Sequence, residues 1–183
     1  MAGFHGRIDQ RLESLPRSLG KQAAVPIGAH VRKSWHVERR HVMATVLDAL
    51  NGSDRACVVA LAGYSGSGKT TVAAEIVRSA EVREAFSDGI AWLPVYQGAK
   101  ERLPSLMLQL ARKVHEEIGG SVGRVPSASE DSATYIKQRL EEGDKSRGLK
   151  CLVVADNVRE EDVVSKLVER GMWVLLSTVM RRS

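Results

Sequence analysis

From Val37 onward the apolar residues Val42, Met43, Val46, Leu47 and Leu50 recur at steps of three and four. That spacing lays one apolar stripe along a helix and predicts its end at Asn51-Gly52. The period then changes. Ala56-Cys57-Val58-Val59-Ala60-Leu61-Ala62 is a continuous apolar run between Asp54 and Gly63, the pattern of a strand buried on both faces of a parallel sheet. A helix is predicted from Lys69 to about Ser79, with Val72, Ile76 and Val77 on one side, and a second strand from Gly89 to Val95. Leu103 to Ile118 reads as a longer amphipathic helix stopped by Gly119-Gly120. Ser121 to Ser132 reads as a polar loop, and Ala133 to Glu142 as another helix. Leu152 to Asp156 is a third strand, residues 159–170 a polar helix with Val163, Val164 and Leu167 inward, and Trp173 to Ser177 a fourth strand. Strands alternating with helices predict a doubly wound α/β sheet. Residues 1 to about 24 mix Gly, Arg, Ser and Leu, and Pro16 breaks a short helical hint at Ile8 to Leu15. Residues 1–35 are assigned to a partly disordered basic arm and residues 36–183 to the folded domain.

Composition narrows the class. The chain has 183 residues, 43% hydrophobic and 27% charged, which excludes disorder along the whole length. Aromatics at 4% fall short of the stacking surface of a single-strand nucleic-acid binder. The apolar runs are far shorter than the roughly 20 residues that cross a bilayer, so no membrane contact is expected. Met1-Ala2-Gly3-Phe4-His5 has no apolar core of a secretory signal, and the expected address is cytoplasmic. The net charge of +5 resides in residues 1–40, where eight Lys or Arg face three acids, while the remainder is balanced at 19 and 19. A neutral body without a basic run does not suit a nucleic-acid partner. Cys57 and Cys151 lie in or beside apolar runs and are expected to be reduced and buried in strands. None of the histidines stands at a zinc-binding spacing.

The chemistry enters with Gly63-Tyr64-Ser65-Gly66-Ser67-Gly68-Lys69-Thr70, which fits the phosphate-loop pattern. It follows a predicted strand and opens a predicted helix. In that setting glycines let successive amide N–H groups turn inward, and the helix N-terminus adds positive potential toward phosphate. Lys69 is assigned to the β- and γ-phosphates, Thr70 to a Mg²⁺ ion bridging them, and Thr71 to the α-phosphate. Gly63, Ser65, Gly66, Ser67 and Gly68 form the cradle. Such a site needs a carboxylate at the end of a neighbouring strand, and Asp156, 87 residues after Lys69, supplies it. Lys69 and Asp156 are thus the candidate catalytic pair, and Thr70 and Asp156 the metal pair. Efficient ATPases usually place a second carboxylate beside the metal-side aspartate, whereas Asn157 cannot take up a proton. Hydrolysis should be slow or absent. Glu160, Glu161 and Asp162 are read as serving a helix dipole.

These motifs resemble the NB-ARC group of STAND nucleotide-binding switches, the ATPase module of plant and animal immune and cell-death regulators. Val58 to Thr71 is similar to the family's first strand and phosphate loop, including the doubled threonine. Phe86 with Gly89-Ile90-Ala91-Trp92-Leu93-Pro94-Val95 resembles its tryptophan-containing second strand. Leu152 to Val158 resembles its acidic strand, and Gly171 to Thr178 its fourth strand. Upstream, His36-Val37-Glu38-Arg39 resembles the segment that contacts adenine, which brings Val37 and Arg39 into the candidate site.

The resemblance implies a P-loop NTPase fold, a three-layer α/β/α arrangement with a mostly parallel sheet incomplete at its C-terminal side. It also implies ATP or ADP as ligand. Its fourth strand should insert between the first and third, leaving an edge of the first to be covered by a protein partner or further domains. The pattern departs at Asn157, in place of a second aspartate, and at Val179, in place of a γ-phosphate-sensing arginine, with Arg181 two places later. The resemblance stops short of the helical and winged-helix subdomains that close over the nucleotide. The expected function is an ATP/ADP-binding module of a signal-transduction or immune-type switch with at most weak ATPase activity. Alternatives are a small P-loop kinase transferring the γ-phosphoryl group, or a non-catalytic interaction fragment. Against a kinase, residues 119–148 supply only Arg124, Arg139 and Arg147 for a lid.

Overall fold

Three continuous apolar runs become strands whose alternate side chains face opposite layers of helices. The computed structural model describes residues 22–29, 39–52, 57–95, 98–117, 127, 132–141, 149–168 and 173–179. In chain order the elements are α1 (Arg40–Asn51), β1 (Val58–Gly63), α2 (Lys69–Ile76), α3 (Ala80–Ala85), β2 (Gly89–Pro94), α4 (Leu103–Glu117), α5 (Ser132–Glu141), β3 (Cys151–Val158), α6 (Glu161–Val168) and β4 (Trp173–Val179). The strands form one all-parallel sheet in the order β1-β4-β3-β2. The fourth strand does insert between the first and third.

Period-two alternation divides the core. Ala91, Leu93, Val153, Ala155, Val174 and Leu176 pack with Leu106, Leu110 and Val114 of α4, Ile136 of α5 and Val163 of α6. Ile90, Trp92, Leu152, Val154 and Leu175 face the other way, onto Val46 and Leu50 of α1, Val72 and Ile76 of α2 and Val82 of α3. This is the three-layer arrangement.

Two expectations are corrected. β1 is not buried on both faces: Val58 is 37% exposed and Ala60 and Ala62 are exposed, while Leu61 is buried toward α1 and α2. Its opposite edge has no paired strand among the described residues, so apolar composition alone could not reveal an edge position. The helix predicted from Lys69 to about Ser79 ends at Ile76, and a separate short helix, α3, follows. Ser79 has extended backbone (φ −63°, ψ 143°), and its hydroxyl accepts the Val82 N–H at 3.3 Å. A serine that caps a following helix cannot also continue the preceding one.

Residues 22–29 lie within the stretch assigned above to the basic arm. The Ala23 N–H donates to the Arg83 carbonyl at 2.9 Å, and Arg83 Nε donates back to the Ala23 carbonyl at 2.7 Å. Arg78 Nη2 donates to the Ala29 carbonyl at 3.0 Å. Gly28 has φ +105°, and a Cβ there would stand 3.3 Å from Cδ1 of Trp92. This segment therefore closes over the α3 side of the sheet.

Neither cysteine is in a disulfide; Cys151 is buried at the start of β3, and Cys57 is half-buried just before β1. Burial, followed by the charge of Asp88, pushes the Cys151 thiol up to about 12. The thiolate is the reactive form. Alkylation of the native chain at pH 8 should modify Cys57 at least about tenfold faster than Cys151, read by mass spectrometry of the labelled peptides. Equal rates would contradict the burial of β3.

Candidate functional site

The loop between β1 and α2 leaves the sheet at Gly63 and enters a helix at Lys69 within five intervening residues. So tight a reversal requires left-handed backbone, and Gly66 (φ +78°) and Gly68 (φ +85°) provide it. A side chain at either would be strained. At Gly68 there is a second reason, since a Cβ there would come 3.2 Å from Nη2 of Arg39. The Ser67 N–H donates to the Tyr64 carbonyl at 3.2 Å and closes the turn. Lys69 Nζ donates to the carbonyls of Gly63 at 2.9 Å and Tyr64 at 2.7 Å, and to Ser67 Oγ at 3.4 Å. The ammonium is thus held at the loop by oxygen acceptors. Beyond it, α2 opens with N–H groups that have no acceptor within the helix.

Thr70 Oγ1 donates to Oδ1 of Asp156 at 2.8 Å. These residues stand 86 positions apart and meet because α2 and the end of β3 flank the same side of the sheet. Asp156 is 9% exposed. Ser65 is exposed, and Thr71, next to Thr70 on α2, is half-buried. Arg39, the residue before α1, reaches Gly68 and thereby the loop itself. Val37 and Arg181 lie outside the described residues, and Val179 is the last residue of β4.

A hydroxyl and a carboxylate side by side are hard oxygen donors. Mg²⁺ is usually held by one or two carboxylates together with substrate phosphates, and the Thr70–Asp156 pair fits that ion.

Asn157 has φ +65° and is the non-glycine residue of positive φ among those described. It sits where the β3–β4 register shifts, with Ala155 opposite Leu176 and Val158 opposite Thr178. The irregularity turns the Asn157 N–H toward Ser177 Oγ, at 2.8 Å, and Ser177 Oγ donates to Asp156 Oδ1 at 2.5 Å. Ser177 was not among the sequence-derived site residues. The available signal was the hydroxyl pair Ser177-Thr178 at the end of the apolar strand, with which the resembled fourth strand also ends, but the contacts of Ser177 depend on the neighbours of that strand.

Glu160 departs from its expected role as a dipole partner. Its carboxylate accepts the Gly98 N–H at 3.2 Å and the Lys100 N–H at 2.5 Å, and Lys100 pairs with Asp162 at 2.7 Å. These contacts tie the turn after β2 to the turn after β3.

From the loop a groove of about 450 Å³ runs between α1 and the free edge of β1, with Val42, Val46, Val59 and Leu61 among its apolar walls and Lys69 at its loop end. Among the described residues no helix is long and apolar enough to cross a membrane. The family model of the NB-ARC domain matches residues 39–180. No curated protein matches the chain.

Proposed function

The chain belongs to the NB-ARC family, and from that premise we propose that it is an ATP/ADP-binding module of a signal-transduction or immune-type switch, cytoplasmic, with slow or absent hydrolysis. NB-ARC domains are P-loop NTPase domains that bind these nucleotides and serve STAND-type switch proteins. The observation that carries the reading for this chain is the assembly of Lys69, Thr70 and Asp156 around the Gly63–Gly68 loop. Lys69 would exchange its loop carbonyls for β- and γ-phosphate oxygens, and the loop amides and Thr71 would hold the remaining phosphates. Arg39, already beside Gly68, would lie on the nucleotide side of α1, and Val37 is proposed with it as an adenine contact. Mg²⁺, held by Thr70 and Asp156, would neutralise charge between the β- and γ-phosphates.

Titration calorimetry of the full chain, freed of co-purified nucleotide, should give micromolar or tighter binding of Mg-ATP and of ADP. A folded chain that binds neither would overturn the proposal. The kinase alternative loses support because Arg139 is 1% exposed on α5 and is not placed as a lid residue. An ADP burst dependent on a phosphoryl acceptor would revive it. The exposed side of β1 and the adjoining groove support a protein partner or further domain that covers this edge.

Weak hydrolysis follows from Asn157. Asparagine and aspartate both tolerate the left-handed backbone found there, so Asn157→Asp should fold normally. It should raise basal phosphate release by about threefold or more, by adding a proton acceptor next to Asp156. A flat or reduced rate would contradict this role for position 157.

A further inference from the structure

β4 lies between the strand that carries the phosphate loop and the strand that carries Asp156. A side chain of β4 is therefore placed to reach the metal-side carboxylate from between the two site-bearing strands. Alternation fixes which one. Leu175 packs on the α2 side, and Ser177, two residues on, shares that face; Leu152 and Val154 place Asp156 on it as well.

Ser177 is 1% exposed at the end of a strand whose preceding residues Val174, Leu175 and Leu176 are all buried and apolar. Its hydroxyl has a single proton. Because the oxygen accepts the Asn157 N–H at 2.8 Å, the proton is directed to Asp156 Oδ1 at 2.5 Å. The left-handed Asn157 (φ +65°) and the register shift after Ala155 make this geometry possible. Thr70 is the other donor to the same oxygen, and it is the hydroxyl assigned to the metal.

We propose that Ser177 is a positioning residue: it holds Asp156 by Oδ1 when Thr70 turns to Mg²⁺, and so sets the Mg²⁺-dependent part of nucleotide affinity without touching the nucleotide. The inference rests on the nucleotide-site reading above. Groups that orient a metal ligand typically change metal affinity by about 10–100-fold when removed.

The test is titration of the full chain with ATP in Mg²⁺ and in EDTA, for wild type, Ser177→Ala and Ser177→Thr. Ser177→Ala should lower the ratio of the two affinities about tenfold, and leave the EDTA value within about twofold. Ser177→Thr, which keeps the hydroxyl, should restore the ratio. In an Asp156→Asn background Ser177→Ala should change the ratio no further, as for two residues acting through one contact. A folded Ser177→Ala with the wild-type ratio overturns the proposal, as does a wild-type chain that binds ATP equally in Mg²⁺ and EDTA. If Ser177→Ala does not fold, Ser177→Cys, of similar size but a weak donor, must show the same loss, and a wild-type ratio there overturns the proposal equally. Failure of the wild type to bind in either condition overturns the nucleotide reading, and this inference with it.

Discussion

Lys69→Ala is expected to weaken Mg-ATP binding at least tenfold while leaving the fold intact. A charged hydrogen bond is worth about 1.5–3 kcal/mol, and about 1.4 kcal/mol already corresponds to tenfold in affinity. Lys69 is a full charge at a loop that is otherwise built from neutral groups, with Gly63, Tyr64 and Ser67 as its oxygen partners. Removing it also removes the tether between α2 and those two carbonyls, so the cradle is less pre-formed for the ligand. ADP should lose less than ATP, because the ammonium is assigned to both the β- and the γ-phosphate. The loop is only partly buried, so the thermal midpoint should fall by no more than a few degrees. Calorimetry with both nucleotides, beside a melting curve, decides it. Unchanged ATP affinity in a folded variant would remove Lys69 from the site.

Trp92→Ala should destabilise the domain by about 3–5 kcal/mol, the usual range for deleting a buried large aromatic ring. Trp92 is among the largest fully enclosed or nearly enclosed side chains of the chain and belongs to the cluster that joins α1, α2 and α3 to the sheet. Its ring also supports Gly28. Truncation therefore opens a cavity beneath α3 and at the same time removes the support of residues 22–29. For a chain of this length the midpoint should drop by roughly 6–20 °C. Limited proteolysis should then cut near residues 22–29 faster than in wild type, since the segment would lose the ring beneath Gly28 and depend more on its hydrogen bonds to Arg83, Arg78 and Glu84. A variant that melts as wild type does would show that the cluster repacks without the ring.

Much of the candidate site was legible because its residues are local in the chain. Five consecutive loop residues between a strand and a helix, two of them glycines that become left-handed, followed by Lys69 and Thr70, form one contiguous segment. Asp156 was legible for a different reason: in a parallel sheet, a lone acid that ends an apolar run stands at the same rim as the loop that ends β1. The error at β1 arose because burial on two faces and exposure at an edge call for the same residues. The error at Ser79 arose because periodicity continued through a residue whose side chain caps the next helix. Glu160 looked like a dipole partner because the groups it binds, the N–H of Gly98 and of Lys100, are about sixty residues away.

The sequence by itself determined the alternation of strands and helices, the phosphate loop with Lys69 and Thr70, the aspartate at a strand end and the absence of a carboxylate at position 157. Each is written in near neighbours, where backbone sterics and side-chain period act over a few residues. The place of β4 between β1 and β3 was expected from the family resemblance, but only the tertiary structure decided that Ser177 meets Asp156 and Asn157 and that residues 22–29 lie against α3 and Trp92. Those facts depend on strand order and register. Residues far apart in the chain become neighbours only when the whole apolar surface is buried at once.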